Sequence, residues 1–101
     1  MAVEGDLYTF SDDNLAKSPT SKGVYSLHQG EETIYIGKAE GENGIRQRLQ
    51  AHKRGDEGRC SQQATGYRRE ICDNPSKREQ ELLLEYKANH HKLPRCNERI
   101  V

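Results

Sequence analysis

Two short apolar segments, each carrying a tyrosine, constrain the fold of this chain more than any other feature. Segments 23–27 and 33–37 are rich in Val, Ile, Thr and Tyr, and they flank a polar stretch that contains Gly30. Residues of these types favour a half-buried strand, and a glycine in a polar stretch between two strands is typical of a turn. The pattern therefore predicts a β-hairpin that brings Tyr25 and Tyr35 onto neighbouring strands.

The alternation of side chains along a strand predicts which of them share a face. On the second strand, Tyr35 and Gly37 share a side, opposite Ile34 and Ile36. We expect Tyr25 and Tyr35 to lie on the same face of the sheet. Gly37 is expected to let the backbone approach another group closely.

The rest of the chain reads as helices with one further strand. The predicted elements are a possible short strand at 7–10, a short helix after Ser11, a helix over about 45–54, a strand at 64–72 and a helix over about 77–90. Ser76 and Glu79 have the spacing of a capping box at the start of the last helix. The polar segment 55–63 fits either a loop or a weak helix.

Composition limits the size of the core and the class of protein. A chain of 101 residues with 32% hydrophobic residues, one Phe and no Trp makes one domain with a small core. No stretch approaches the ~20 apolar residues of a membrane-spanning helix. Cys60, Cys72 and Cys96 are an odd number without CxxC spacing, so we expect reduced thiols in a soluble, cytoplasmic protein.

Charge is unevenly distributed although the net charge is zero. Residues 1–37 carry two basic and six acidic side chains, whereas residues 38–78 carry ten basic and six acidic ones. A neutral protein with a local basic face can bind phosphates with strong salt dependence. A charge run taken alone, however, is more often a solvated helix face.

Pairs of polar residues four positions apart mark two of the predicted helices. Arg48 and His52 lie one turn apart on one helix, and Glu81 and Glu85 lie one turn apart on another. Each of these residues taken singly is typical of an exposed helix surface. The two tyrosines, considered without the other residues, are typical of a cross-strand packing pair.

Taken together and in order, these landmarks resemble the GIY-YIG nuclease superfamily, and most closely the N-terminal incision domain of the bacterial excinuclease. The resemblance spans residues 22–97, with 1–21 as an N-terminal extension of a single domain over 1–101. It rests on the segments Gly23-Val24-Tyr25, Tyr35-Ile36-Gly37-Lys38, Arg48-Leu49-Gln50-Ala51-His52, Leu82-Leu83-Leu84-Glu85 and Pro94-Arg95-Cys96-Asn97.

The resemblance implies a small α/β (α+β) domain with a central three-stranded antiparallel sheet flanked by helices. It also implies metal-dependent DNA endonuclease activity with one Mg²⁺ or Mn²⁺ ion. The implied catalytic residues are Tyr25, Tyr35, Arg48, His52 and Glu85, with Glu85 as the metal ligand, and the implied substrate-binding residues are Gly37, Lys38 and Asn97. A long loop before the helix makes Arg46 a competitor of Arg48, but the offset of His52 favours Arg48.

The chemistry of these residue types fits phosphodiester hydrolysis. A carboxylate such as that of Glu85 can hold Mg²⁺, and Arg48 can clamp a phosphate oxygen. We expect Tyr25 or Tyr35 to orient or deprotonate the attacking water, with His52 sharing the proton transfer; the sequence does not choose between the tyrosines. No segment resembles a specificity module, so a partner protein or a homodimer is expected to supply specificity.

Two other functions remain open from the sequence. One is a catalytically inactive nucleic-acid-binding or assembly module of the same fold. The other is a small interaction protein whose hairpin only packs, which would show no salt-dependent binding to DNA.

Overall fold

The predicted hairpin forms the centre and one edge of an antiparallel sheet. A computed structural model describes residues 2–97. The strands are β1 (Tyr8–Thr9), β2 (Gly23–Gln29), β3 (Glu32–Ala39) and β4 (Gly66–Ile71), and the helices are α1 (Asp12–Ala16), α2 (Gly44–Arg54), α3 (Arg59–Gln62) and α4 (Pro75–His90). The order in the sheet is β1-β4-β2-β3. The α+β prediction is confirmed, and the sheet has four strands rather than three because β1 pairs with β4.

Helices cover both faces of the sheet because β2 and β3 direct apolar side chains to both faces. Helix α2 and the short α1 pack on the face that carries Tyr25, and α4 packs on the face that carries Val24. The first cluster includes Phe10, Leu15, Tyr25, Leu27, Ile34, Ile45, Leu49 and Tyr67, and the second includes Val3, Val24, Ile36, Leu82 and Leu83. The β3 edge therefore lies between α2 and α4, with one helix on each side.

A β-bulge in the hairpin changes the predicted alternation. The register pairs Leu27 with Tyr35 and His28 with Thr33, which leaves Ile34 as the extra residue of β3. Ile34 consequently packs in the same cluster as Tyr25, whereas Ile36 packs against α4. The expectation that Ile34 faces away from Tyr35 is wrong, because one inserted residue shifts the period-two pattern.

The caps of the helices match the sequence at α1 and α2 but not at α4. The Ser11 side chain accepts a hydrogen bond from the backbone of α1, and Gly55 ends α2 in the left-handed conformation. At α4 the side chain of Asn74 caps the helix and Pro75 is its first residue. The expected capping box is wrong, since Ser76 and Glu79 lie inside the helix.

Two of the three cysteines form a disulfide. Cys60 of α3 is bonded to Cys96, with 5.5 Å between the two Cα atoms, and Cys72 is free. The expectation of three reduced thiols is wrong, because the segment after α4 returns along β3 and brings two cysteines 36 positions apart into contact. The backbone N–H of Cys96 donates to the carbonyl of Ile34 at 2.8 Å. Among the helices of residues 2–97, none is long and apolar enough to cross a membrane.

Candidate active site at the sheet edge

A cleft lies along the open edge of β3, where α2 and α4 approach from opposite faces of the sheet. Strand β3 contributes Tyr35 and Lys38, α2 contributes Arg48, α4 contributes Glu79, and Glu40 follows β3. The edge position explains the convergence, because only there can side chains from both faces reach one space. Tyr35, Lys38 and Arg48 of the predicted site are thus brought together in this cleft.

The two tyrosines share one face of the sheet, as predicted. Tyr25 is opposite Gly37 in the register, and the tyrosine rings stack with 6.1 Å between their centroids. Tyr25 is fully buried, whereas Tyr35 is partly exposed and lines the cleft. A side chain at Gly37 would place its Cβ 2.6 Å from both the Tyr25 hydroxyl and the Tyr35 ring. Gly37 therefore admits the tyrosine pair, which is the close approach that the sequence suggested.

His52 lies behind the tyrosines and links them to α3. Its Nε2 atom is 2.8 Å from the Tyr25 hydroxyl, and its Nδ1 atom is 2.8 Å from the Oγ atom of Ser61. His52 and Ser61 are both buried. Burial, with a smaller contribution from the Arg48 cation, lowers the pKa of His52 to about 4. The imidazole is therefore neutral at physiological pH and has one N–H to donate.

The hydroxyls of both tyrosines are protonated at neutral pH. Burial raises the pKa of Tyr25 far above its ordinary value, and it also raises the pKa of Tyr35. The positive charge of Arg48 opposes both increases.

The two cations of the cleft each have a carboxylate partner. Arg48 forms an ion pair with Glu57, and Lys38 lies 3.3 Å from Glu40. Lys38 also donates to the hydroxyl of Ser76 on α4 at 2.8 Å. The competing Arg46 donates to the carbonyl of Ser18 at 2.7 Å and does not line the cleft.

Glu79 is the one carboxylate in the cleft that is buried. The residue is 5% exposed, and its Oε1 atom has no hydrogen-bond partner among residues 2–97. Burial raises the pKa of Glu79, while Lys38 and Arg48 act in the opposite direction. A buried carboxylate oxygen without a donor is costly unless a cation or water satisfies it. The oxygen-rich cleft fits a hard divalent cation such as Mg²⁺, which prefers carboxylate and water ligands.

The comparisons with known proteins agree with this geometry at the level of the fold. No model of a known protein family matches the sequence, and no curated protein matches it significantly. Solved structures of the GIY-YIG N-terminal endonuclease domain of UvrC from Thermotoga maritima do match. A tyrosine-to-phenylalanine variant bound to its catalytic divalent cation is 21% identical, with a TM-score of 0.59, and the match covers 88% of this chain and 100% of that chain. The magnesium-bound domain is 20% identical, with a TM-score of 0.58, and the match covers 86% and 99%.

The chain has the GIY-YIG endonuclease fold.

Glu85, the predicted metal ligand, does not line the cleft of this GIY-YIG fold. It lines a separate groove with His28 and Tyr86 on the α4 face of the sheet. Glu79 precedes Glu85 by six residues, which corresponds to about 240° around a helix of 3.6 residues per turn. The two carboxylates therefore point in different directions. Within residues 2–97, no group of three His, Cys, Asp or Glu side chains is arranged to hold a metal.

Asn97 supports the cleft of the GIY-YIG fold through the backbone of β3. Its side-chain oxygen accepts from the N–H of Ile36 at 2.9 Å, and its side-chain nitrogen donates to the carbonyl of the same residue at 3.0 Å. The amide thus satisfies an edge-strand residue next to Tyr35.

The sequence reasoning missed Glu79 and Ser61. Glu79 carried a usable signal, because it lies three and four positions before Leu82 and Leu83 and thus falls on the buried stripe of α4. A carboxylate on an apolar stripe requires a partner. Ser61 carried no signal, because the polar segment around it has no periodic pattern.

Proposed function

We propose that this chain is a divalent-metal-dependent endonuclease that hydrolyses DNA phosphodiester bonds by a one-metal mechanism, with Glu79 in place of Glu85 as the metal ligand. The observation that carries the proposal is the buried Oε1 atom of Glu79, which has no hydrogen-bond partner in the described part of the chain and lies in a cleft shared with Arg48, Lys38 and Tyr35. The shared fold supports it, since the matching UvrC domain is described with a catalytic divalent cation.

Glu79 would hold one Mg²⁺ or Mn²⁺ ion, with water and phosphate oxygens completing the coordination. When bound, the ion would neutralise charge at the scissile phosphate and lower the pKa of coordinated water. The desolvated position of Glu79 strengthens its interaction with a cation, because the surrounding dielectric constant is low.

Arg48 and Lys38 would bind the phosphate. The planar guanidinium of Arg48 can donate two hydrogen bonds to one phosphate group, and the ammonium of Lys38 supplies a point charge. In the structure these cations are held by Glu57 and Glu40. Substrate phosphate would compete with these carboxylates, so binding is expected to depend steeply on salt.

Tyr35 would orient the attacking water, because it is the tyrosine that lines the cleft. The water oxygen forms the new bond to phosphorus, and the bond from phosphorus to the leaving sugar oxygen breaks. One proton of the water is transferred to that leaving oxygen. Tyr25 and His52 act from behind Tyr35, since both are buried. Their role is to position Tyr35 and to hold the hydrogen-bond network.

The biological setting of such an enzyme is DNA repair, restriction or a mobile element, and its site of action is inside the cell. The basic region 38–78 includes α2 and its flanking loops, which border the cleft. A partner protein or a homodimer is proposed to supply specificity. Residues 8–16, which belong to the extension before the motif region, add β1 and α1 to the same fold.

An inactive nucleic-acid-binding or assembly module is the second candidate. Its assembly form, rather than its nucleic-acid-binding form, is favoured by the local charge of the cleft, where Glu40, Glu57 and Glu79 outnumber Lys38 and Arg48. A surface with paired cations has little net attraction for phosphate.

A nicking assay on supercoiled plasmid with Mg²⁺ or Mn²⁺ tests the proposal. We expect Glu79→Gln and Arg48→Ala each to reduce the cleavage rate by about 100-fold, since each removes a charge that stabilises the transition state. Glu85→Gln, on the same helix, is the matched control and is expected to stay within about threefold of the wild type.

Three outcomes would contradict the proposal. Loss of cleavage in Glu85→Gln with normal cleavage in Glu79→Gln would restore Glu85 as the ligand. Undiminished cleavage in both Glu79→Gln and Arg48→Ala would exclude the cleft as the active site. Failure of the wild type to cut duplex, single-stranded and branched DNA would favour the inactive module.

A further inference from the structure

Glu40 takes part in a closed set of polar contacts at the cleft. Its Oε1 atom is 3.3 Å from the Nζ atom of Lys38, and its Oε2 atom accepts a hydrogen bond from the hydroxyl of Ser76 at 3.1 Å. Lys38 donates to the same hydroxyl at 2.8 Å. Glu40 directly follows β3, and Ser76 lies in the first turn of α4. The three side chains therefore join the edge strand to the helix.

The contact with Ser76 brings the carboxylate of Glu40 near that of Glu79. Ser76 and Glu79 are three positions apart on α4, a spacing that places two side chains next to each other on one face of a helix. Glu40 and Glu79 both line the cleft. The negative charge of Glu40 also raises the pKa of Glu79, although burial is the larger cause. Two carboxylates thus face the same space.

The charges of these two carboxylates are not balanced by the cations of the cleft. With Arg48 paired to Glu57, the single charge of Lys38 balances only one of them. The Oε1 atom of the buried Glu79 has no hydrogen-bond partner in the described part of the chain. A divalent cation would balance both carboxylates, and Mg²⁺ is typically held by one or two carboxylates together with substrate phosphates.

Glu40 can leave Lys38 at little cost. The side chain of Glu40 is 49% exposed, and an ion pair this exposed contributes little to stability because water solvates both charges. The hydrogen bond from Lys38 to Ser76 does not depend on Glu40 and would keep the ammonium in the cleft.

We propose that Glu40 is the second carboxylate of the metal site, which leaves Lys38 to bind the ion held by Glu79 and so makes Lys38 available to a substrate phosphate. This role of Glu40 rests on the proposed function, in which Glu79 holds the ion. Metal and DNA are then expected to strengthen each other's binding, because the exchange of Glu40 frees the positive charge of Lys38.

Binding of Mn²⁺ to the protein without DNA, measured from the electron paramagnetic resonance of the free ion, tests the proposal. We expect Glu40→Gln to weaken binding about 10-fold, because the ion loses one of its two carboxylates. Glu42→Gln is the matched control, since Glu42 is exposed in the same segment and does not line the cleft. It should bind Mn²⁺ within about twofold of the wild type. Unchanged binding in Glu40→Gln, or equal weakening in Glu42→Gln, would overturn the proposal.

Lys38→Met distinguishes a ligand from a nearby charge. Because Glu40 must leave Lys38 to reach the ion, removal of the ammonium should tighten Mn²⁺ binding about threefold, and most of that gain should be absent in the Glu40→Gln background. A gain of the same size in both backgrounds would show that Lys38 acts on the ion only through its charge, and it would overturn the proposal.

A failure of Glu79 as the metal ligand gives a different result. Absence of Mn²⁺ binding in the wild type, or undiminished binding in Glu79→Gln, would contradict the proposed function and the role of Glu40 with it. Loss of binding in Glu79→Gln together with unchanged binding in Glu40→Gln would contradict the role of Glu40 alone.

Discussion

Burial of an uncharged His52 makes the stability of the protein depend on pH. The pKa of His52 in the folded protein is about 4, against about 6.5 in an unfolded chain. Between these values the unfolded state binds more protons than the folded state does. The contribution of His52 to the free energy of unfolding is therefore fully present above about pH 6.5. It is lost as the pH is lowered toward about 4.

We expect His52 to contribute up to about 3 kcal/mol to this loss. Urea unfolding of the wild type and of His52→Gln at pH 7 and at pH 4.5 measures it, and the variant should show a smaller loss. His90→Gln, at an exposed residue of α4, is the control. His28 contributes in the same direction, because burial and the nearby Arg68 lower its pKa to about 4. Equal losses in the wild type and His52→Gln would contradict the expectation.

Individual residues were predictable where they belong to a local pattern. Tyr25, Tyr35 and Gly37 followed from strand alternation, and the structure places the tyrosines on one face. The carboxylate that lines the cleft was harder to predict, because the position of a glutamate around α4 depends on which stripe of the helix packs against the sheet. Leu84 extends the apolar run but is 50% exposed, so the apparent triplet Leu82 to Leu84 misdirected the orientation of the helix.

At the level of elements, the disulfide joins two segments that support the candidate site from different sides. Cys60 is the neighbour of Ser61, which contacts His52, and Cys96 is the neighbour of Asn97, which holds the backbone of Ile36. One covalent bond therefore fixes α3 and the segment after α4 relative to each other. The sequence could not predict this pair, because no spacing rule relates cysteines that meet only through the tertiary fold.

Removing the disulfide should destabilise the protein and leave α3 and the segment after α4 less firmly held against each other. Closing a loop between cysteines 36 positions apart stabilises the protein by about 4 kcal/mol through the unfolded state. We expect Cys60→Ser and the reduced wild type to unfold at a lower urea concentration than the oxidised wild type. Cys72→Ser, at the free cysteine, is the matched control. Equal midpoints for oxidised and reduced protein would show that the bond does not contribute to stability.

At the level of the whole molecule, the cleft exists because α2 and α4 approach the β3 edge of the sheet from opposite faces. The sequence predicted the hairpin, α2, β4 and α4, because each has its own periodicity and end signals. It did not predict the bulge at Ile34 or the asparagine cap of α4, because packing and local hydrogen bonds decide these features. Those two features fix the register of β3 and the start of α4, and hence the convergence of Tyr35, Arg48 and Glu79.

Anomalous scattering from crystals soaked in Mn²⁺ tests this convergence most directly. We expect one strong peak beside the Oε1 atom of Glu79, within the cleft formed with Tyr35 and Arg48, and we expect the peak to disappear in crystals of Glu79→Gln. A peak beside Glu85 in the groove of His28 and Tyr86, or a peak in the cleft that persists in Glu79→Gln, would contradict the assignment of Glu79 as the metal ligand.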